Sequence, residues 1–197
     1  MNEEYGSAYT AYQTNRSALR KFVRRLYLNS AAKALTGPTL DFGCGVGELL
    51  ARLPEGSKGV EYNRASVEFC RQHGLDVTWY DGYADNWQLS TLPEVSGFQS
   101  MVLSHVLEHL EDPMIVLDAL LRSAERIGIR RVLIIVPGRA GYASDDTHRT
   151  YVDWLMLEKN LAQHPTFTIA SHKYFPGNVP RIGDWFRYHE LQVLLTR

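Results

Sequence analysis

Cysteine, net charge and long apolar runs are all scarce in this chain of 197 residues. Two cysteines allow at most one disulfide, which excludes a disulfide-stapled scaffold and favours a reducing, cytoplasmic environment. A formal net charge of -1 argues against nucleic acid as a whole-surface partner. We expect no membrane span and no secretory signal, because no apolar run is long enough and no basic segment leads into one.

Acidic residues are absent between Tyr5 and Leu40, where six basic residues occur. Apolar residues in this stretch, among them Leu19, Phe22 and Leu26, recur at the spacing of an amphipathic helix. We therefore predict that residues 1–36 form a helical N-terminal segment. Because the sequence shows no linker or internal repeat, we predict a single domain over residues 1–197. Three tyrosines share one face of this segment: Tyr5, Tyr9 and Tyr12.

Strand and helix patterns alternate after this segment, which predicts an α/β fold. Predicted strands cover 39–42, 58–61, 75–80, 98–104, 131–136, 166–175 and 186–195. Predicted helices cover 48–53, 64–73, 112–127 and 151–161. Because the two final strand patterns are not separated by a helix, we expect a doubly wound, mostly parallel sheet with an antiparallel strand at its end.

A glycine-rich loop lies between the first predicted strand and the helix predicted at 48–53: Asp41-Phe42-Gly43-Cys44-Gly45-Val46-Gly47. Alternating glycines let the backbone approach a ligand, and a helix N-terminus after such a loop can bind an anion. A dinucleotide-binding loop carries a third glycine at the position of Glu48. This departure argues against NAD or FAD, although a nicotinamide oxidoreductase stays an alternative.

The loop resembles motif I of the class I S-adenosylmethionine-dependent methyltransferases. Glu61 ends the second strand, where that superfamily has an acidic residue for the ribose hydroxyls. The run from Leu103 to Pro113 resembles the motif that follows strand four in the small-molecule branch, of methyltransferase type 11 or 23. The resemblance covers about residues 37–137 and implies a Rossmann-like sheet, with S-adenosylmethionine as cofactor and S-adenosylhomocysteine as product.

The resemblance also implies a set of cofactor-binding residues. Positions near the methionine part are Asp41, Gly43, Cys44, Gly45 and Gly47, with Ser104 and His105 lining the methionine or substrate side. Glu61 is implied for the ribose and Tyr62 for the adenine. After strand three the superfamily often has an adenine-binding Asp, but Tyr83 stands there, so the contact is assigned to the Asp81-Gly82-Tyr83 run or to Asp85.

The run His105-Val106-Leu107-Glu108-His109 also spells H-x-x-E-H, a zinc-binding motif of some proteases. Zinc requires both histidines on one face of a helix and a further acidic ligand. The motif here directly follows a strand, so we favour the methyltransferase interpretation and predict no metal. In that interpretation Glu108 and His109 are structural.

His105 and His148 are the candidate catalytic residues. His148 lies in the predicted loop at 138–150, beyond the fifth strand, where loops of such sheets form the site. It acts as a substrate ligand or general base, or it is an ordinary solvated histidine. The segment from Pro176 to Arg187, with Trp185, contributes to an acceptor pocket or only covers the sheet edge.

Methyl transfer is an in-line displacement, so the protein mainly aligns the acceptor with the methyl group and excludes water. No Asn-Pro-Pro-Tyr run follows strand four, which favours an O-, C- or aliphatic N-acceptor on a small molecule or sugar. The basic N-terminal segment either suits an acidic or phosphorylated acceptor or is only a solvated basic face. In the first case, reversing Arg20 and Arg24 raises acceptor KM without changing cofactor affinity. Alternatives are cofactor binding without catalysis, and an RNA methyltransferase.

Overall fold

The computed structural model describes residues 18–93 and 96–197, with side chains from Arg24 onward. Predictions for the earlier residues, including Tyr5, Tyr9 and Tyr12, lie outside the described part of the chain. Within the described part, no helix combines the length and apolar character needed to cross a membrane.

A seven-stranded sheet forms the centre of the molecule, with the order β3-β2-β1-β4-β5-β7-β6. Its strands are β1 (Thr39–Phe42), β2 (Lys58–Glu61), β3 (Val77–Trp79), β4 (Ser100–Ser104), β5 (Arg131–Pro137), β6 (Thr168–Phe175) and β7 (Glu190–Thr196). The first five strands are parallel, whereas β7 pairs antiparallel with both β5 and β6. The predicted fold class is confirmed.

Five α-helices in the described residues accompany the sheet. They are α1 (Ala18–Ala34), α2 (Arg64–Gln72), α3 (Pro113–Arg126), α4 (Arg139–Tyr142) and α5 (Trp154–Leu161). Short 3-10 turns cover Leu50–Arg52, Leu107–His109 and Pro180–Asp184. The helix patterns at 64–73 and 112–127 are confirmed, and α4 is an addition within the predicted loop at 138–150. The helix predicted at 151–161 begins only at Trp154, because Asp153 is its N-cap.

Both faces of the sheet are buried, as double winding requires. On one face, Val102 and Leu133 pack with Leu28 of α1. On the other face, Met101 and Leu117 belong to the core that involves α3. Neighbouring residues of one strand point to opposite faces, which explains why these central strands are apolar without alternation.

Two predicted elements are wrong. The helix predicted over 48–53 is only a 3-10 turn, Leu50–Arg52, because Pro54 prevents a further helical turn so soon after the loop. The glycine loop is therefore not followed by a helix N-terminus that could bind an anion. The last strand begins at Glu190, not at 186, because the residues after the Pro180–Asp184 turn are still irregular.

The sheet order reverses between β1 and β4, since the chain first builds outward through β2 and β3 and then returns. Ligands of open α/β sheets bind in the crevice at such a switch point, outside the carboxyl ends of the strands. The loops after β1, β2, β4 and β5 all converge there.

Candidate active site

A cleft of about 1020 Å³ opens at the carboxyl ends of these strands. It is lined by residues of α1 and of the loops after β1, β2, β3, β4 and β5, and by the segment before β7. Lining residues that the sequence predicted are Asp41, Gly43, Cys44, Gly45, Glu61, Tyr62, Gly82, Tyr83, Ser104, His105 and His148. The structure therefore brings most of the predicted site residues together.

Two glycines shape the wall of the cleft after β1. Gly43 and Gly45 have φ angles of +70° and +55°, in the left-handed region that favours glycine. A Cβ on Gly43 would lie 2.6 Å from Cγ2 of Val106, so the loop also packs tightly against the residues after β4. Gly43 N donates to the carbonyl of Val60 over 2.8 Å, which holds the loop beside β2.

The third loop glycine, Gly47, was also predicted near the methionine part of the cofactor. It does not line the cleft, and a Cβ there would lie 2.3 Å from Cδ1 of Leu75 and 3.1 Å from Sγ of Cys70. Gly47 therefore allows the loop to pack against the chain around α2.

Glu61 lies at the end of β2 and faces the cleft. Its Oε2 accepts a hydrogen bond from Gly45 N over 2.8 Å, and its Oε1 accepts one from Asn63 N over 2.7 Å. Burial raises the pKa of this carboxyl, and the backbone hydrogen bonds from Asn63 and Gly45 oppose that rise. The bonds fix the orientation of the side chain, and each carboxylate oxygen keeps capacity for another donor.

Asp41 of β1 is almost completely buried beside the glycine loop. Burial and the nearby charge of Glu61 raise its pKa to about 7, although a hydrogen bond from the Leu50 backbone opposes the shift. Its Oδ2 has no hydrogen-bond partner among the described residues. This oxygen is a buried acceptor at the base of the cleft.

Exposed aromatic side chains flank the cleft near Glu61. Tyr62 is 49% exposed and Tyr83 is 67% exposed, so both rings offer a face to a planar ligand. Gly82 lies against the Trp87 ring, which a Cβ would approach to 2.2 Å.

The two carboxylates considered for the adenine contact do not line this cleft. Asp81 Oδ1 accepts a hydrogen bond from Ala84 N over 3.1 Å, within its own turn. Asp85 Oδ2 accepts bonds from the Tyr80 hydroxyl over 2.7 Å and from Ser90 N over 3.1 Å. Both side chains therefore organise the loop after β3, and an adenine contact of Asp81 or Asp85 stays a prediction from the sequence.

His105 follows β4 with a φ of +58° and is held between two buried carboxylates. Its Nδ1 lies 3.0 Å from Glu108 Oε1, and its Nε2 lies 3.4 Å from Glu190 Oε2. Burial alone would lower the pKa of His105, but the hydrogen bonds with Glu108 and Glu190 outweigh it and raise the pKa to about 9. At neutral pH the ring is an imidazolium, so it suits a donor or cationic role and not that of a general base.

His148 reaches the same cleft from the loop after β5. Its Nδ1 lies 2.8 Å from the carbonyl oxygen of Tyr142, and its ring stacks on the Tyr142 ring with centroids 5.3 Å apart. Since a carbonyl only accepts, Nδ1 carries the proton and Nε2 carries the lone pair. His148 is therefore a positioned, partly buried side chain and not an ordinary solvated loop histidine.

Several lining residues were missed by sequence reasoning. Glu190 comes from the antiparallel strand β7, and Arg187 precedes it in the chain. Glu48, directly after the glycine loop, also lines the cleft and forms an ion pair with Arg24, for which the sequence predicted an acceptor role. No motif marked these residues, and only an acidic residue at the start of an apolar strand pattern could have drawn attention to Glu190.

The comparison with protein families identifies one match. The sequence profile of "Methionine biosynthesis protein MetW" matches residues 32–137, which is more than half of the chain. The matched range contains the glycine loop, Glu61 and the residues after β4. A search of curated proteins finds no significant match.

Solved structures with the same fold cover nearly the whole chain. A SAM-dependent methyltransferase from Archaeoglobus fulgidus has 18% identity and a TM-score of 0.68, with 97% of this chain and 100% of that chain covered. Magnesium protoporphyrin IX methyltransferase from Synechocystis PCC 6803, with bound SAH, has 15% identity and a TM-score of 0.69. The match covers 98% of this chain and 95% of that chain. These similarities confirm the methyltransferase fold.

Proposed function

This chain belongs to the family of the methionine biosynthesis protein MetW, and from this we propose that it is an S-adenosylmethionine-dependent methyltransferase. Its acceptor, in this proposal, is a small molecule or sugar that is methylated on oxygen, carbon or an aliphatic nitrogen. One observation carries the proposal: a single cleft joins the glycine loop and Glu61 to a polar region around His148. We include a cytoplasmic location, with which two free cysteines are consistent.

The residues at the β1 and β2 end of the cleft fit the proposed cofactor. Glu61 is oriented by two backbone hydrogen bonds and has remaining acceptor capacity for a pair of ribose hydroxyls. Asp41 Oδ2 is a buried acceptor without a partner among the described residues, which a ligand ammonium group would satisfy. Tyr62 and Tyr83 offer the aromatic surface that a purine ring needs.

The cofactor supplies an activated methyl group when bound. The residues of this chain then orient the acceptor and exclude water, which is the main requirement of an in-line displacement. His148 Nε2 carries a lone pair and lines the cleft, so it can accept the proton that a hydroxyl or amine acceptor loses.

The acceptor region contains several cationic side chains. Arg149 and Arg187 line the cleft together with His105. Guanidinium groups pair with carboxylates and phosphates through paired hydrogen bonds. An acidic or phosphorylated acceptor is therefore part of the proposal.

Binding of S-adenosylhomocysteine tests the cofactor half of the proposal. We expect calorimetry to find one site per chain, and the Glu61→Gln variant to weaken the affinity at least tenfold. Glu68→Gln, on the exposed side of α2, is the matched control and should bind like the parent protein. Equal affinity of parent and Glu61→Gln protein, or no binding at all, would contradict the proposal.

Turnover separates the methyltransferase from a protein that only binds the cofactor. Acidic and phosphorylated small molecules and sugars are incubated with the protein and cofactor, and methylated product is measured by mass spectrometry. Cofactor binding without product from any acceptor would favour the binding-only alternative. RNA binding that falls steeply with salt would instead favour an RNA methyltransferase.

A further inference from the structure

Three side chains with metal-binding groups meet at the acceptor end of the cleft. A ligand atom from each of Glu108, His109 and His148 lies within 4.8 Å of the other two. His109 and His148 line the cleft, and Glu108 lies behind them. This trio is not the H-x-x-E-H zinc motif, which needs both histidines on one face of a helix. Here Leu107–His109 form a 3-10 turn after β4, and His105 contacts Glu108 and Glu190 instead of joining the trio.

Backbone hydrogen bonds hold the two loops that carry these residues. The carbonyl of Glu108 accepts from Arg149 N over 2.7 Å and from Thr150 N over 3.1 Å. The Thr150 hydroxyl donates to the carbonyl of Leu110 over 2.7 Å. These hydrogen bonds hold the segment that follows His148 against the loop after β4, and so fix the position of His148 beside that loop.

Glu108 provides an independent sign of a missing ligand. Its side chain is completely buried, and its Oε1 lies 3.0 Å from Nδ1 of His105. Oε2 is buried without a partner among the described residues. A buried carboxylate oxygen in this state costs free energy, which a bound cation would recover.

The two histidines are held in tautomers that suit metal binding. His148 Nδ1 donates to the Tyr142 carbonyl, so its lone pair lies on Nε2. The Thr147 hydroxyl donates to Asp145 Oδ1 over 2.7 Å, and therefore accepts from His109 Nδ1 over 3.1 Å. Metal-binding histidines usually donate their second ring N–H to a carbonyl or another fixed acceptor in this way.

We propose that Glu108, His109 and His148 form a binding site for a divalent first-row transition metal such as Zn²⁺, Co²⁺ or Mn²⁺. Two imidazoles and one carboxylate are a ligand set that these metals accept. Ligands at about 2.1 Å from a tetrahedral metal lie about 3.4 Å apart. The separations between the three ligand atoms, at most 4.8 Å here, therefore shorten by up to about 1.4 Å on binding. This proposal departs from the sequence-based prediction of no metal.

Three protein ligands leave at least one coordination position for a further ligand. Since His109 and His148 line the cleft, that position faces the acceptor region. This step rests on the proposed function and replaces the base role given there to His148, because the metal occupies the Nε2 lone pair. The metal binds an oxygen atom of the acceptor and lowers the pKa of a hydroxyl at that position, so that its proton can pass to solvent. The acceptor class is thereby narrowed to molecules with an oxygen donor beside the methylated atom.

Cobalt titration tests the metal site without any measurement of activity. The full chain, freed of its purification tag and of bound metal with a chelator, is titrated with Co²⁺ and then with Zn²⁺ as competitor. We expect one ion per chain with micromolar or tighter affinity, and visible d–d absorption without a thiolate charge-transfer band. The last point distinguishes the site from one at Cys44 and Cys70.

The His148→Ala variant should weaken Co²⁺ binding at least tenfold, and the His73→Ala variant, on an exposed helix end, should not. Glu108→Gln provides a second test, read only if its circular dichroism matches the parent. No stoichiometric binding, a thiolate band, or equal affinity of His148→Ala and parent would overturn the proposal. The affinity of the metal-free protein for S-adenosylhomocysteine tests the proposed cofactor site separately. The metal-site proposal and the proposed function can therefore fail independently of each other.

Discussion

The Glu61 carboxylate accepts a hydrogen bond from the backbone nitrogen of Gly45 over 2.8 Å, and this bond joins the loop after β1 to the end of β2. Parallel pairing of β1 with β2 brings the carboxyl ends of the two strands side by side, which places Gly45 near Glu61. A left-handed φ of +55° at Gly45 turns its N–H toward the carboxylate. The backbone conformation of the loop and the orientation of Glu61 therefore depend on each other.

Replacement of Gly43 by alanine tests this loop. At a φ of +70° alanine costs about 1–2 kcal/mol, and the contact with Val106 at 2.6 Å adds to the free-energy loss. We expect Gly43→Ala to lower both the free energy of unfolding and the affinity for S-adenosylhomocysteine. Chemical denaturation and calorimetry measure the two effects.

Gly74→Ala is the matched control for that variant. Gly74 has a φ of +76°, but its Cβ would meet no atom within 4 Å, and it does not line the cleft. We expect a similar strain cost of about 1–2 kcal/mol with unchanged ligand affinity. If both variants bound the ligand equally well, the loop would not be part of the cofactor site.

Asp41 makes stability depend on pH. Its pKa of about 7 in the folded chain lies above the ordinary value of 3.8, so the folded state keeps a proton that the unfolded state has lost. Stability therefore falls as pH rises from about 4 to about 7. At roughly 1.4 kcal/mol per pKa unit, the loss is on the order of 4 kcal/mol.

The Asp41→Asn variant isolates this contribution, because every other titrating group is retained. Denaturation curves between pH 4 and pH 8 give the free energy of unfolding of both proteins. As pH rises, we expect the parent to lose more stability than the variant, which has no carboxyl group at position 41. Parallel pH profiles of the two proteins would mean that Asp41 is not protonated in the folded state.

Glu190 forms two buried hydrogen bonds from the first position of β7. Its Oε2 faces His105 Nε2, and its Oε1 accepts from Gln192 Nε2 over 2.6 Å. A glutamine has one acceptor oxygen and so satisfies only one of the two donors. We expect Glu190→Gln to lower the free energy of unfolding by about 1–3 kcal/mol in chemical denaturation.

An exposed glutamate on α5 supplies the comparison for Glu190. Glu158→Gln should change stability by less than about 0.5 kcal/mol. A loss of the same size in both variants would show that the buried pairing of Glu190 contributes nothing specific.

The ion pair between Arg24 and Glu48 changes the expectation for the basic N-terminal segment. Both side chains line the cleft, and Glu48 follows the glycine loop. We expect Arg24→Glu to weaken cofactor binding two- to fivefold, corresponding to about 0.5–1 kcal/mol for a partly exposed pair. The sequence alone predicted an effect on acceptor KM only.

Calorimetry with S-adenosylhomocysteine measures this effect, and Arg25→Glu, exposed on the same helix, is the control. The double variant Arg24→Glu with Glu48→Arg should regain most of the affinity. A double variant weaker than either single variant would argue against a direct pairing. The side chain of Arg20 lies outside the described part of the chain.

The sequence determined the order and type of most elements. Glycine, proline and the periodicity of apolar residues act locally, so the strands and the later helices follow from nearby residues alone. The Asp41 to Gly47 loop and Glu61 could also be proposed as site residues from the sequence, because alternating glycines after a strand let the backbone approach a ligand. The helix predicted at 48–53 failed, since Pro54 limits the length that the apolar pattern suggested.

Only the tertiary structure decided what the polar residues near the acceptor region do. The antiparallel pairing of β7 with β5 brings Glu190 to His105, which is 85 positions earlier in the sequence. The contacts with Glu190 and Glu108 raise the pKa of His105 and favour the imidazolium form. His109 and His148 meet because the Glu108 carbonyl binds the backbone of the loop after β5. Such contacts depend on strand order and loop packing, which no local pattern encodes. The scarcity of cysteine, net charge and long apolar runs excluded whole classes of protein, whereas the chemistry of the cleft was set by residues that folding brings together.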